Sequence, residues 1–182
     1  LERALELEPN FFRAHLHLGM VYEQKFMYGE AVAELEKGRA ISENSWTLAA
    51  LGHCHASFGA KATAEEFLER LFALSRRQFV SCMTIAVVYA GFEDKSDLTI
   101  EWLEKAYEER SGLLIWLNVW PIFDHLRTDE RFVGLLKRLG FSTRQERRRL
   151  SLGRQNGGLI HQRSQQQSAS TPLVSRSRKY SP

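Results

Sequence analysis

Small and apolar residues recur along the first two thirds of this 182-residue chain at intervals of 33 to 35 residues. The aligned sets are Leu18, Gly19 and Tyr22, then Leu51, Gly52 and His55, then Ile85, Ala86 and Tyr89. A period of this length predicts stacked structural units, each burying its apolar face against its neighbours. About three and a half such units fit into residues 1–109, the first of them partial.

Each unit contains two segments with helical periodicity, separated by a short break. Ala31, Val32 and Leu35 show the i, i+3, i+4 spacing that places apolar side chains on one buried helix face. Gly19 predicts a close crossing of two antiparallel helices, where only a small residue fits. The predicted helices are 12–25, 30–41, 46–58, 62–74, 79–92 and 98–109. Because the alternation typical of strands is nearly absent, the sequence predicts an all-α fold.

The segment 14–22, followed by Ala31, Leu35 and Gly38, resembles a tetratricopeptide repeat (TPR). Pro9 lies where that family ends one repeat and begins the next, whereas His15 replaces the aromatic residue expected early in the first helix. The resemblance implies an α-solenoid of helix–turn–helix hairpins. Residues 1–8 read as the interior of a helix, so we expect a chain that continues upstream.

Residues 102–141 resemble the C-terminal ends of TPR regions in bacterial multidomain regulators. In those proteins a winged-helix DNA-binding domain, a kinase or a cyclase-like domain lies upstream. The resemblance implies a fragment of a larger bacterial regulator, located in the cytoplasm. The segment 110–142 is expected to form capping helices that cover the last exposed core of the solenoid.

The pattern within this cap predicts one well-defined helix. Thr128 is placed to N-cap it, with Asp129 and Glu130 in the first turn. Gly140 suits its C-terminal stop. The apolar side chains expected on one face of this helix are those of Phe132, Leu135, Leu136 and Leu139.

The charge is unevenly distributed along the chain. The formal net charge is +3, but residues 144–182 carry nine Lys or Arg against one acid, which leaves −5 for the rest. The tail 143–182 is also poor in apolar residues, so we predict it to be disordered, with a possible helical extension at 145–150. The positive charge of this tail is the only feature that supports contact with nucleic acid or an anionic membrane.

Neither a catalytic site nor a cofactor or metal site is predicted. The sequence lacks the GxSxG, GxxxxGK[ST] and HExxH motifs. His53 and His55 are two positions apart on a helix, so their side chains point in nearly opposite directions and cannot share an ion. The two cysteines, Cys54 and Cys82, form no CxxC motif and are expected to be buried thiols.

The first helix of each unit is expected to build the concave wall of the solenoid, where proteins of this kind bind partners. By their spacing from the core residues, eleven side chains are predicted to face this groove: Arg13, Leu16, Met20, Glu23, Gln24, Trp46, Ala49, His53, Val80, Met83 and Val87. A wall with this composition suits an extended peptide or a partner helix.

The sequence therefore predicts a protein–protein interaction scaffold that is not an enzyme. Two alternatives remain open at this stage. The first is a regulatory domain that acts in cis on an attached kinase or winged-helix domain. The second is a self-association module. The run 113–123 is apolar but too short and too interrupted to span a membrane.

Overall fold

A computed structural model describes residues 1–141, which form eight α-helices and two short 3₁₀-helices and contain no strand. This confirms the all-α prediction. The predicted disordered tail at 143–182, with its helical extension at 145–150, lies outside the described residues. The elements are α1 (Glu2–Leu7), α2 (Phe12–Gln24), α3 (Tyr28–Ile41), α4 (Ser45–Ser57), α5 (Lys61–Ser75), α6 (Cys82–Ala90), α7 (Ser96–Glu108), η1 (Gly112–Trp116), η2 (Pro121–Leu126) and α8 (Glu130–Arg138).

Helices α2 and α3 pack as an antiparallel hairpin. A Cβ atom added to Gly19 of α2 would lie 2.6 Å from Cγ of Leu35 in α3. One added to Gly38, late in α3, would lie 3.4 Å from Cβ of His15, early in α2. The predicted close crossing at Gly19 is therefore confirmed, and the equivalent Gly52 of α4 is enclosed in the same way.

The six predicted helices agree with the observed ones to within three residues at each end. The largest difference is at α6, which begins at Cys82 rather than at residue 79. Ser81 has extended backbone, and its Oγ accepts a hydrogen bond from the Met83 N–H at 3.3 Å. The Glu109 carboxylate, just beyond α7, accepts another from the Cys82 N–H at 3.0 Å. These caps satisfy the first amide groups of the helix and fix its start, so Val80 lies in the preceding loop.

Helix α8 repeats the position of α7 after one more period. Arg131 of α8 donates to Asp97 at 2.7 Å, and Arg138 donates to Glu104; both pairs are 34 residues apart. The segment between α7 and α8 thus stands where the first helix of a further unit would stand. It forms η1 and η2 instead, because Pro121 cannot continue a helix and forces extended backbone on Trp120 (φ −82°, ψ 120°).

The ends of α8 differ from the prediction in one respect. The N-cap is Asp129, not Thr128: the Asp129 carboxylate accepts a hydrogen bond from the Arg131 N–H at 2.8 Å. Gly140 follows the helix with φ +80°, the left-handed conformation expected of a glycine stop. None of the helices within residues 1–141 is both long and apolar enough to cross a lipid bilayer.

Candidate protein-binding face

Helices α2, α4 and α6, which begin the three complete hairpins, lie side by side. Glu23 of α2 is hydrogen-bonded to His53 of α4. A Cβ atom added to Gly52 of α4 would lie 2.9 Å from Cγ1 of Val88 in α6. The surface that these helices form is here called the α2–α4–α6 face. Of the predicted groove residues, the structure brings together Met20, Glu23, Trp46, His53 and Val87 around one small cavity on this face.

Most of the predicted groove residues are covered in this structure. Arg13 and Gln24 are exposed, and Met20 and Trp46 are half-buried. The others are buried: Leu16, Glu23, Ala49, His53, Val80, Met83 and Val87. The expectation that all eleven side chains line an open groove is therefore corrected for these seven.

Part of this burial comes from the segment 112–126, which contains η1 and η2 and is here called the lid. The indole rings of Trp120 and Trp46 lie 5.9 Å apart between their centres. Ile122 is 92 % buried on the same face. The side chains that enclose the small cavity between lid and face are Met20, Glu23, Trp46, Ala50, His53, Val87, Trp120 and Ile122. Its volume of about 10 Å³ holds at most one water molecule.

Glu23 and His53 form a buried pair beneath the lid. Oε1 of Glu23 and Nδ1 of His53 are 2.6 Å apart, and the two side chains are 6 % and 7 % exposed. The sequence predicts both as polar groups in an open groove, but in the structure their side chains are hydrogen-bonded to each other. The pair joins α2 to α4 and gives the centre of the α2–α4–α6 face a polar floor.

The stretch His53–Cys54–His55 sends its three side chains into different environments. Cys54 is fully buried, and burial raises the pKa of its thiol to about 12. His55 stacks on Phe67, with ring centres 5.6 Å apart, and burial lowers the pKa of its imidazole. Nδ1 of His55 is buried and has no hydrogen-bond partner among residues 1–141. Among residues 1–141, no group of three His, Cys, Asp or Glu side chains is placed to hold a metal ion.

A second imidazole–carboxylate pair lies in the first hairpin. Nδ1 of His15 lies 2.7 Å from Glu34, and its Nε2 lies 2.8 Å from the Pro9 carbonyl oxygen. Burial alone would raise the pKa of Glu34, but hydrogen bonds from Lys37 and His15 lower it. His15 therefore links α2 to α3 and to the loop that precedes it, a structural role in the slot where the resemblance implies an aromatic residue.

The edge of the α2–α4–α6 face at α2 is the part that remains open. The side chains of Leu1, His17, Met20, Val21, Gln24 and Lys25 border a shallow hollow of about 480 Å³ beside α2. Arg13, Gln24 and Lys25 are exposed on the same helix or directly after it. The open part thus combines an apolar centre at Met20 with positive charge close by.

Sequence reasoning missed Trp120 and Ile122 as residues of this face. The available signal was Pro121 within the apolar run 113–123. A proline in that position prevents a regular capping helix and leaves the residue before it extended. No feature of the sequence indicated that Trp120 and Ile122 reach α2 and α4.

The fold thus defines a class of all-helical proteins built from consecutive hairpins. No protein-family model matches the chain, and no curated protein and no solved structure does so either.

Proposed function

We propose that this protein is a TPR-type interaction module that binds a peptide or a partner helix on the α2–α4–α6 face. The recurrence of 33 or 34 residues supports the TPR interpretation, together with the antiparallel α2–α3 hairpin and the closely packed Gly19 and Gly52. The observation that carries the proposal is the open part of the face. There Met20 borders a hollow large enough for several side chains, next to the half-buried Trp46.

The surroundings of Met20 indicate the chemistry of the partner. Arg13 and Lys25 are exposed on or beside α2, whereas Glu23, the only acid within helices α2, α4 and α6, is buried against His53. A segment with an apolar side chain for the hollow and acidic residues near it would complement this surface. Apolar contact would supply most of the affinity, and charge would favour the encounter and its orientation.

A peptide-selection experiment tests the proposal. The full chain is immobilised, peptides are selected from a displayed random library, and their affinities are measured by fluorescence anisotropy. Met20→Glu should weaken binding of the selected peptides at least tenfold, because it places a charge in the apolar hollow. The matched control is Ala33→Glu, which adds the same charge at an exposed position of α3 in the same hairpin. Equal binding by the two variants, or no selected peptide at all, contradicts the proposal.

The resemblance of residues 102–141 supports a wider proposal, in which the module belongs to a larger bacterial regulator of the cytoplasm. The partner is then a separate protein or an attached kinase or winged-helix domain. Self-association through the open hollow is the other alternative. Sedimentation at two protein concentrations separates it from the first two, because only a self-associating chain changes its mass with concentration.

A further inference from the structure

The lid contacts more of the molecule than an end cap requires. Helix α8 already packs along α7, where Arg131 and Arg138 pair with Asp97 and Glu104. The lid instead sends Trp120 onto Trp46 at the start of α4 and encloses Met20 of α2, one hairpin further away. These contacts cover the part of the α2–α4–α6 face that adjoins the open hollow of the proposed function.

The lid is buried towards its two ends and more exposed at residues 118–121 in between. Leu114, Leu117, Phe123 and Leu126 are at most 3 % exposed and belong to the core. Between them, Trp116 and Val119 are 54 % and 63 % exposed, and Trp120 is half-buried. The backbone N–H groups of Val119 and Trp120 both bond to the Trp116 carbonyl, inside the lid itself.

The contact between lid and face is made by side chains. Within residues 1–141, no hydrogen bond or ion pair joins Trp120 or Ile122 to α2, α4 or α6. A contact of this kind resembles a bound peptide more than a continuation of the core. It can be replaced by another segment that presents the same side chains.

The lid also shows which ligand the face accepts. The Trp120 ring lies against Trp46, Pro121 follows and begins the 3₁₀-helix η2, and Ile122 lines the same small cavity as Glu23 and His53. Since proline fixes the backbone of such a segment in advance, binding it costs little conformational entropy.

We propose that the α2–α4–α6 face is a binding site for an aromatic–Pro–aliphatic segment, and that Trp120–Pro121–Ile122 of the lid occupies it in the closed state. This inference rests on the proposed function and adds the identity of the ligand motif. A partner with this motif must displace the lid. Its apparent affinity is therefore reduced by the fraction of molecules in which the lid is closed.

The test uses the full chain and a fluorescent synthetic peptide with the sequence of residues 117–127. In the variant W120A/I122A the face is freed while the buried anchors remain. The peptide should bind this variant at least tenfold more tightly than the wild type. A peptide in which the Trp and the Ile are replaced by Ala should not bind. The matched control is I115A/V119A, which truncates exposed residues of the same lid and should behave as the wild type.

Each outcome decides the question. Equal affinity of the peptide for wild type and W120A/I122A, or binding to neither, overturns the proposal when circular dichroism shows a folded variant. If W120A/I122A does not fold, W120A alone provides the test, because Trp120 is only half-buried. Peptides selected on the wild type, in the experiment described above, keep the two proposals distinct. If they bind through Met20 while the lid peptide never binds, only the lid inference fails.

Discussion

The buried Glu23–His53 pair allows the sharpest test of how the face is built. The test uses Glu23→Leu, His53→Phe and the double variant, measured together with the wild type. Each single change leaves one polar side chain of the pair buried against an apolar neighbour, whereas the double change removes both. The comparison is with Lys61–Asp94, a pair that also joins successive hairpins but is 58 % and 60 % exposed.

The expected magnitudes follow from burial. Removing one member of a buried ionic or charged hydrogen-bonded pair costs about 3–5 kcal/mol, since the remaining group stays desolvated without a partner. The double variant should lie within about 1–2 kcal/mol of the wild type, because apolar replacements of similar volume are often tolerated. Lys61→Ala should have no measurable effect, since water screens the exposed pair. Domains of this size are stable by only about 5–15 kcal/mol, so the single changes remove a large fraction.

Urea unfolding followed by circular dichroism measures the differences. With a slope of about 2 kcal/mol per M urea, each single variant should unfold about 2 M urea earlier than the wild type. The double variant should recover most of that shift. If Glu23→Leu and His53→Phe lower the midpoint no more than Lys61→Ala does, the pair is not the buried contact that the structure shows. If the losses in the double variant simply add, the two residues act independently.

Three further predictions concern single positions. Gly19→Ala should destabilise the fold by about 1–3 kcal/mol because the added Cβ overlaps with α3. Gly134→Ala, at an open position of α8, should stabilise it by about 0.5–1 kcal/mol. If urea unfolding shows Gly19→Ala to be as stable as the wild type or more stable, the close packing at Gly19 is refuted. Phe26 has φ +60° and is 78 % exposed, so Phe26→Gly should raise the free energy of unfolding by about 1 kcal/mol, and a loss of stability would mean that its ring packs. Burial lowers the pKa of the His55 imidazole in the folded state. The stability that neutral His55 contributes is therefore fully present above its unfolded pKa of 6.5 and declines as the pH falls below that value. The melting temperature should fall between pH 7.5 and 5.5 by more in the wild type than in His55→Tyr, and equal changes would refute this assignment.

The helices of the three complete hairpins could be predicted from sequence because their determinants are local and repeated. Apolar spacing fixes the buried side of each helix, and a small residue such as Gly19 marks each crossing. Local capping was harder to predict. Thr128 and Asp129 are both suitable N-caps, and only the extended backbone at Asp129 decides between them.

Pairings across hairpins were not accessible to sequence reasoning. His53 aligns with Met20 at the repeat interval of 33, whereas it bonds to Glu23, one helical turn further along α2. Adjacent helices therefore meet with an offset that the repeat itself does not specify. Two polar residues that a sequence places in a groove can satisfy each other, and only the offset shows that they do.

The position of the lid could not be predicted from sequence for the same reason. The sequence shows that residues 113–123 are apolar and contain a proline, and both facts are compatible with an ordinary cap. Whether this segment turns toward α7 or across the α2–α4–α6 face depends on the space that the other helices leave. Small side chains such as Ala50 leave such a space beside Val87, and Trp120 and Ile122 close it down to about 10 Å³. An apolar face benefits from such a cover, because an uncovered apolar patch promotes non-specific association. On the proposed function, the residues that cover the face set the threshold that a partner must exceed, and the selectivity of the face then depends as much on the lid as on α2, α4 and α6.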